Sequence, residues 1–129
     1  MTDITTNPGG ILPVSTIGLP EILNDLAKTI YEDNKAKGFY ERQHDFGRSI
    51  ALIHSELSEA LEADRDECDG AVAVYDKHLP NRYAKEVELA DALIRILDTA
   101  AVEGMDIGGA VVEKLEYNRT RPHKHGKAY

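Results

Sequence analysis

The sequence predicts an all-α fold of four helices, and three observations predict it. Apolar residues recur at three- and four-residue steps through long segments, Pro and Gly punctuate those segments, and 129 residues suit one domain with one core. The domain is expected over residues 19–121, after an extended or flexible arm (1–18) and before a short basic tail (122–129).

The arm, "MTDITTNPGGILPVSTIG", is rich in Thr, Gly and Pro and shows no sustained period. Pro20 suits the first turn of a helix. From there Ile22, Leu23, Leu26, Ala27 and Ile30 recur at helical spacing towards Lys37, with Gly38 as C-cap. The connector "GFYERQHDFG" breaks the period. A second helix follows from Asp45 to Asp66, with Phe46, Ile50, Ile53, Leu57, Ala60 and Leu61 on one stripe. Residues 67–80 fit either a loop with a short helix or a brief strand through "AVAVY". The third helix runs from Asn81 or Arg82 to Val102. Its apolar face is so wide, from Val87 through Leu93 and Leu97 to Ala101, that it belongs at the centre of a bundle or in a subunit interface. Asp106 can cap a fourth helix reaching Tyr117, although Gly108 and Gly109 weaken its first turn. Pro122 ends helical structure.

Composition excludes several classes. The net charge of −8 argues against nucleic acid polymers and anionic membrane as partners. No apolar run approaches the roughly 20 residues that span a bilayer, and the acidic start is a poor signal peptide. The single cysteine, Cys68, rules out an internal disulfide framework and disfavours a thiolate zinc site. A cytoplasmic protein is the simplest expectation. The acid sits mainly in the middle of the chain, whereas the end, "EKLEYNRTRPHKHGKAY", is basic.

Two acidic pairs carry chemistry. On the second helix Glu56 and Glu59 lie three apart, off the main apolar stripe and beside Leu52 and Ala63. On the third, Glu88 and Asp91 repeat that spacing, with Arg95 between Asp91 and Asp98. An isolated E-x-x-E is usually solvated surface acid. Two such pairs on neighbouring helices would repel unless neutralised, and the natural counterion is a hard divalent cation. Oxygen-only ligands favour Mg²⁺ or Mn²⁺ over Zn²⁺. The one E-x-x-H match, Glu41 to His44, lies in the connector, which disfavours a di-iron bundle.

"SELSEALEADR", then "KEVELADALIRILDTA", then "EKLEYNRTRPHKHGK" resemble the MazG-like all-α nucleoside triphosphate pyrophosphohydrolases. The resemblance covers about residues 36 to 127. It departs at Ser55, where the family often has a further Glu, and this bears on the number of metals. The resemblance implies a four-helix MazG-like bundle completed by homodimer or homotetramer formation. It also implies hydrolysis of a nucleoside triphosphate to the monophosphate and pyrophosphate. Glu56, Glu59, Glu88 and Asp91 would hold Mg²⁺, which lowers the pKa of the attacking water. Lys114, Asn118 and Arg121 would contact phosphate or substrate, sharing one face if the last helix reaches Arg121. Phe39 or Tyr40 is a candidate to stack on a nucleobase, against the alternative of core packing. The rival class is a non-catalytic helical interaction module that keeps the fold.

Overall fold

The computed structural model describes residues 16–122 and 124; the arm before residue 16 and most of the basic tail, with His123, His125 and Lys127, lie outside the described residues. Four helices form, α1 (Leu19–Ala36), α2 (Phe46–Gly70), α3 (Ala84–Val102) and α4 (Ile107–Thr120), with no strand among the described residues beyond one isolated bridge.

Local chemistry explains most of the ends. Pro20 opens α1, and the Lys37 N–H closes it by donating to the carbonyls of Asp33 and Asn34. Asp45 caps α2, its carboxylate accepting from the Arg48 N–H at 3.0 Å. Asp106 caps α4 by accepting from the Gly109 N–H at 2.9 Å.

Three boundaries differ from the sequence reading, the first two through contacts with other segments and the third through the Pro122 that follows Arg121. First, α2 runs four residues past Asp66, because Glu67 bonds Lys85 Nζ at 2.8 Å and accepts from the Val74 N–H. Second, α3 starts at Ala84 rather than Asn81 or Arg82. The Arg82 carbonyl and Ala84 N–H are used in a bridge that pairs Tyr75 with Tyr83, so that part of the open segment does turn extended. Third, α4 passes Tyr117 but stops at Thr120, and Arg121 is extended (ψ 151°), so Arg121 leaves the helical face it was expected to share.

The central helix is α3, packed against both α1 and α2, while α4 rests on α1. The α1–α4 contact is close. Asn24 donates from Nδ2 to Asp106 at 2.7 Å and accepts from the Gly108 N–H at 2.8 Å. Gly108 lies against the Pro20 backbone so tightly that a Cβ there would sit 2.1 Å from the Pro20 carbonyl oxygen.

The interior is made of small side chains, chiefly Ala27, Ala63, Ala92 and Ala100 with Ile53 and Leu97. Of the expected α2 stripe only Ile53 is buried, and Leu57 and Leu61 are exposed. On α3, Leu89 and Leu93 are more than half exposed. No described helix is long and apolar enough to cross a membrane.

Candidate functional site

Polar contacts run along the α2–α3 seam and fix an antiparallel register. His44 bonds Glu103 at 2.8 Å, Arg95 Nε donates to Glu56 at 2.5 Å, and Lys85 Nζ donates to Asp64 at 3.0 Å. Between the last two, Glu59 faces Glu88, their carboxyl oxygens within 4.8 Å of each other. As the residue number rises along α2, the partner's number falls along α3. Local periodicity places each acid on a face; only this register places Glu59 opposite Glu88.

The result is a carboxylate cluster. Glu56, Glu59 and Glu88 each present an oxygen, and the three lie within 4.8 Å of one another. Glu56 is only 8% exposed. It therefore sits in the inward row with Ile53 and Ala63, not beside that row as the wheel placed it. Arg95 supplies the positive charge that a buried carboxylate requires. Asp91 is not one of the three clustered groups, but it stands beside Glu56. Burial raises its pKa first and the Glu56 charge raises it further, while Arg95 pulls it down.

Glu88 shows how incompletely the cluster is neutralised. Its pKa is pushed up to about 7, by desolvation first, then by the hydrogen bond and charge of Glu59, with Asp91 and Glu56 adding to it. Near neutral pH the Glu59–Glu88 pair thus holds a proton where a cation could sit. Three carboxylate oxygens at this spacing, one of them basic enough to be protonated at pH 7, suit a hard divalent cation.

This has a measurable consequence for stability. Between the ordinary glutamate value of 4.5 and about 7, folded Glu88 binds more protons than unfolded Glu88. The stability contributed at this group therefore falls as pH rises through that window. In chelator, the melting temperature should drop from pH 5 to pH 7.5. Millimolar Mg²⁺ should restore it at pH 7.5 and do little at pH 5, where protons compete. An equal Mg²⁺ effect at both pH values, or none, would count against the cluster as a cation site.

Beside the carboxylates lies a cleft of about 640 Å³, lined from the connector, α2 and α3. Glu56, Asp91 and Arg95 form one wall, and Phe39 and Tyr40 belong to the lining. Phe39 is 71% exposed and free to meet a ligand. Tyr40 is more constrained: its ring meets Tyr31 edge-on at 5.0 Å, and its hydroxyl donates to Asp98 Oδ2. Burial and the Asp98 contact both push the Tyr40 pKa upward.

The basic residues are not brought to this place within one chain. Lys114 lies over the Tyr117 ring at 4.6 Å and Arg121 lies 5.7 Å from the same ring, on the helix that packs on α1. Neither they nor Asn118 line the cleft. Asp64 pairs with Lys85 at 3.0 Å. Glu86 is exposed in the first turn of α3 and pairs with Arg82 at 3.3 Å. Arg95 and Asp98, noted in the sequence on the row of Asp91 but given no role there, both line the cleft. Their signal was the 91–95–98 spacing, which puts both on the row that carries the acids.

Comparison of the chain with protein-family models, with curated proteins and with solved structures finds no match. Fold and site define a protein that is all-helical over its described residues, with a carboxylate cluster one member of which, Glu56, lines a cleft.

Proposed function

We propose that this protein is a MazG-like nucleoside triphosphate pyrophosphohydrolase, dependent on Mg²⁺ or Mn²⁺, that releases pyrophosphate and a nucleoside monophosphate. One observation carries the reading: carboxylates from two facing helices cluster at the edge of a cleft large enough for a nucleoside. Glu56, Glu59 and Glu88 would hold the cation, with Asp91 adjacent. When bound, the cation supplies charge stabilisation to the triphosphate and acidifies its attacking water. The chain's own groups do the rest. A carboxylate not fully occupied by the cation, with Asp91 beside the cluster, can take the proton released by water. Arg95 holds Glu56 in place and offers a guanidinium at the phosphate end of the cleft.

A second copy completes the molecule in this reading. Leu57 and Leu61 on α2 and Leu89 and Leu93 on α3 are exposed apolar residues that a dimer or tetramer would cover. Lys114, Asn118 and Arg121 lie away from the carboxylates of their own chain, so they could reach substrate only from a partner copy. Pyrophosphate release should be measured over standard and modified nucleotides with Mg²⁺, alongside sedimentation. Turnover of at least one nucleotide by a dimer or larger species is expected. A folded protein inert towards all of them would sink the enzyme and favour the interaction module; a monomer would remove the shared site.

A further inference from the structure

Glu56 already has a positive partner in this chain. Arg95 Nε donates to Glu56 Oε1 at 2.5 Å, and Glu56, one of the three clustered carboxylates, is buried. A buried carboxylate paired in this way exchanges its partner only for another positive charge. The Arg95 side chain is 43% exposed, and Nε is its one guanidinium nitrogen with a hydrogen bond among the described residues. A guanidinium has five N–H donors, so most of its bonding capacity is open, on a residue that lines the cleft. Asp91, one turn earlier on α3, lies in the field of the same charge and also lines the cleft.

We propose that Arg95 is a resident counterion that competes with the divalent cation for Glu56 and passes to the substrate's phosphates when nucleotide arrives. The inference rests on the nucleotide reading above and deepens it, by assigning the residue that couples the cation to the triphosphate. In the empty protein the cluster offers a cation a nearby like charge and a ligand oxygen that Nε already engages. Both weaken loading. A triphosphate relieves the conflict, because its oxygens accept from the planar guanidinium fork two at a time. Asp91 and Arg95 are about 6 Å apart along the helix axis, a separation that a triphosphate spans.

The coupling has a sign that a purely structural pair lacks. If Arg95 only fixed Glu56 in place, its removal would loosen the cluster and weaken cation and nucleotide together. As a competitor it weakens the cation alone and strengthens the nucleotide. Its removal then moves the two affinities in opposite directions. Linkage makes the effect reciprocal: in the parent, bound nucleotide tightens the cation as much as bound cation tightens the nucleotide.

The test is calorimetric titration of the whole chain at pH 8. Mg²⁺ is titrated alone, and then ATP, GTP, CTP and UTP are each titrated with Ca²⁺ in place of Mg²⁺ to suppress turnover. Arg95→Gln should bind Mg²⁺ alone about five-fold tighter or more, and the best-bound nucleotide about ten-fold weaker or more. Arg95→Lys, which keeps the charge and loses the fork, should leave Mg²⁺ alone within about two-fold and still weaken the nucleotide. It carries the test if Arg95→Gln loses its helical circular dichroism. Weaker Mg²⁺ binding by folded Arg95→Gln, or undiminished nucleotide binding by either variant, would overturn the coupling. Pyrophosphate release by the parent alongside either result would leave the hydrolase standing. A parent that binds neither Mg²⁺ nor any of the four nucleotides would overturn both.

Discussion

Glu59→Gln is expected to lower pyrophosphate release by about 1,000-fold, a loss of roughly 4 kcal/mol in transition-state stabilisation. Glu59 is the exposed member of the cluster and faces Glu88, so in the proposed reaction it would be one of the groups that hold the cation. The amide keeps the shape and a hydrogen bond but gives up the charge. Far-UV circular dichroism should therefore be unchanged. In chelator at pH 7.5 the variant should melt no lower than the parent, and should lose the Mg²⁺-dependent increment, because one like charge has left a repulsive group. Activity and stability move in opposite directions, as expected where charges are gathered for function. A variant retaining more than a tenth of the parental kcat would remove Glu59 from the mechanism.

Gly108→Ala should be the most damaging single methyl in the described chain. Within a helix, Ala for Gly ordinarily gains about 1 kcal/mol. Here the added Cβ would meet the Pro20 oxygen at 2.1 Å and its Cα at 2.6 Å, both backbone atoms that cannot swing aside. Relieving such overpacking costs on the order of 1–3 kcal/mol or more. Reversal of the expected sign is the signature. We expect the melting temperature to fall by roughly 8 °C or more, given about 4–8 °C per kcal/mol in a domain of this size. Gly70→Ala is the control, since a Cβ there meets nothing within 4 Å. If Gly108→Ala stabilises the protein as Gly70→Ala should, α1 and α4 do not approach as described.

The two predictions mark how differently the site and the frame can be read from sequence. The carboxylates were visible because E-x-x-E and E-x-x-D are local spacings that put two acids on one helical face. Gly108 was visible only as a weakness in the first turn of α4. Its purpose is to let Pro20 come close, a contact between residues 88 positions apart that no local pattern encodes. The same holds for Asn24, whose side chain ties the Asp106 cap to α1 and gives no sequence signal of doing so.

Apolar patterning was informative about element type and misleading about burial. Ile53 and Leu57 read as one stripe on α2, yet Ile53 is buried and Leu57 is exposed. The reason is that the α2–α3 seam is occupied by Glu56, Arg95, Glu59 and Glu88, with alanines between. Of that polar row Glu56 is buried, and it takes a place on the inward face beside Ile53 and Ala63. The large leucines are left for whatever covers the outer face.

The sequence by itself determined four helices, the start of α2 near Asp45, the cap at Asp106, and which acids share a face, because helical period and capping depend on neighbours a few residues away. Only the tertiary structure decided that α2 and α3 run in the register that sets Glu59 against Glu88 and Arg95 against Glu56. It alone left Asp98 Oδ1 buried without a partner at the end of the same row. Register is a property of two surfaces meeting, set by small side chains and ion pairs from distant parts of the chain, and a single helical wheel contains one of those surfaces.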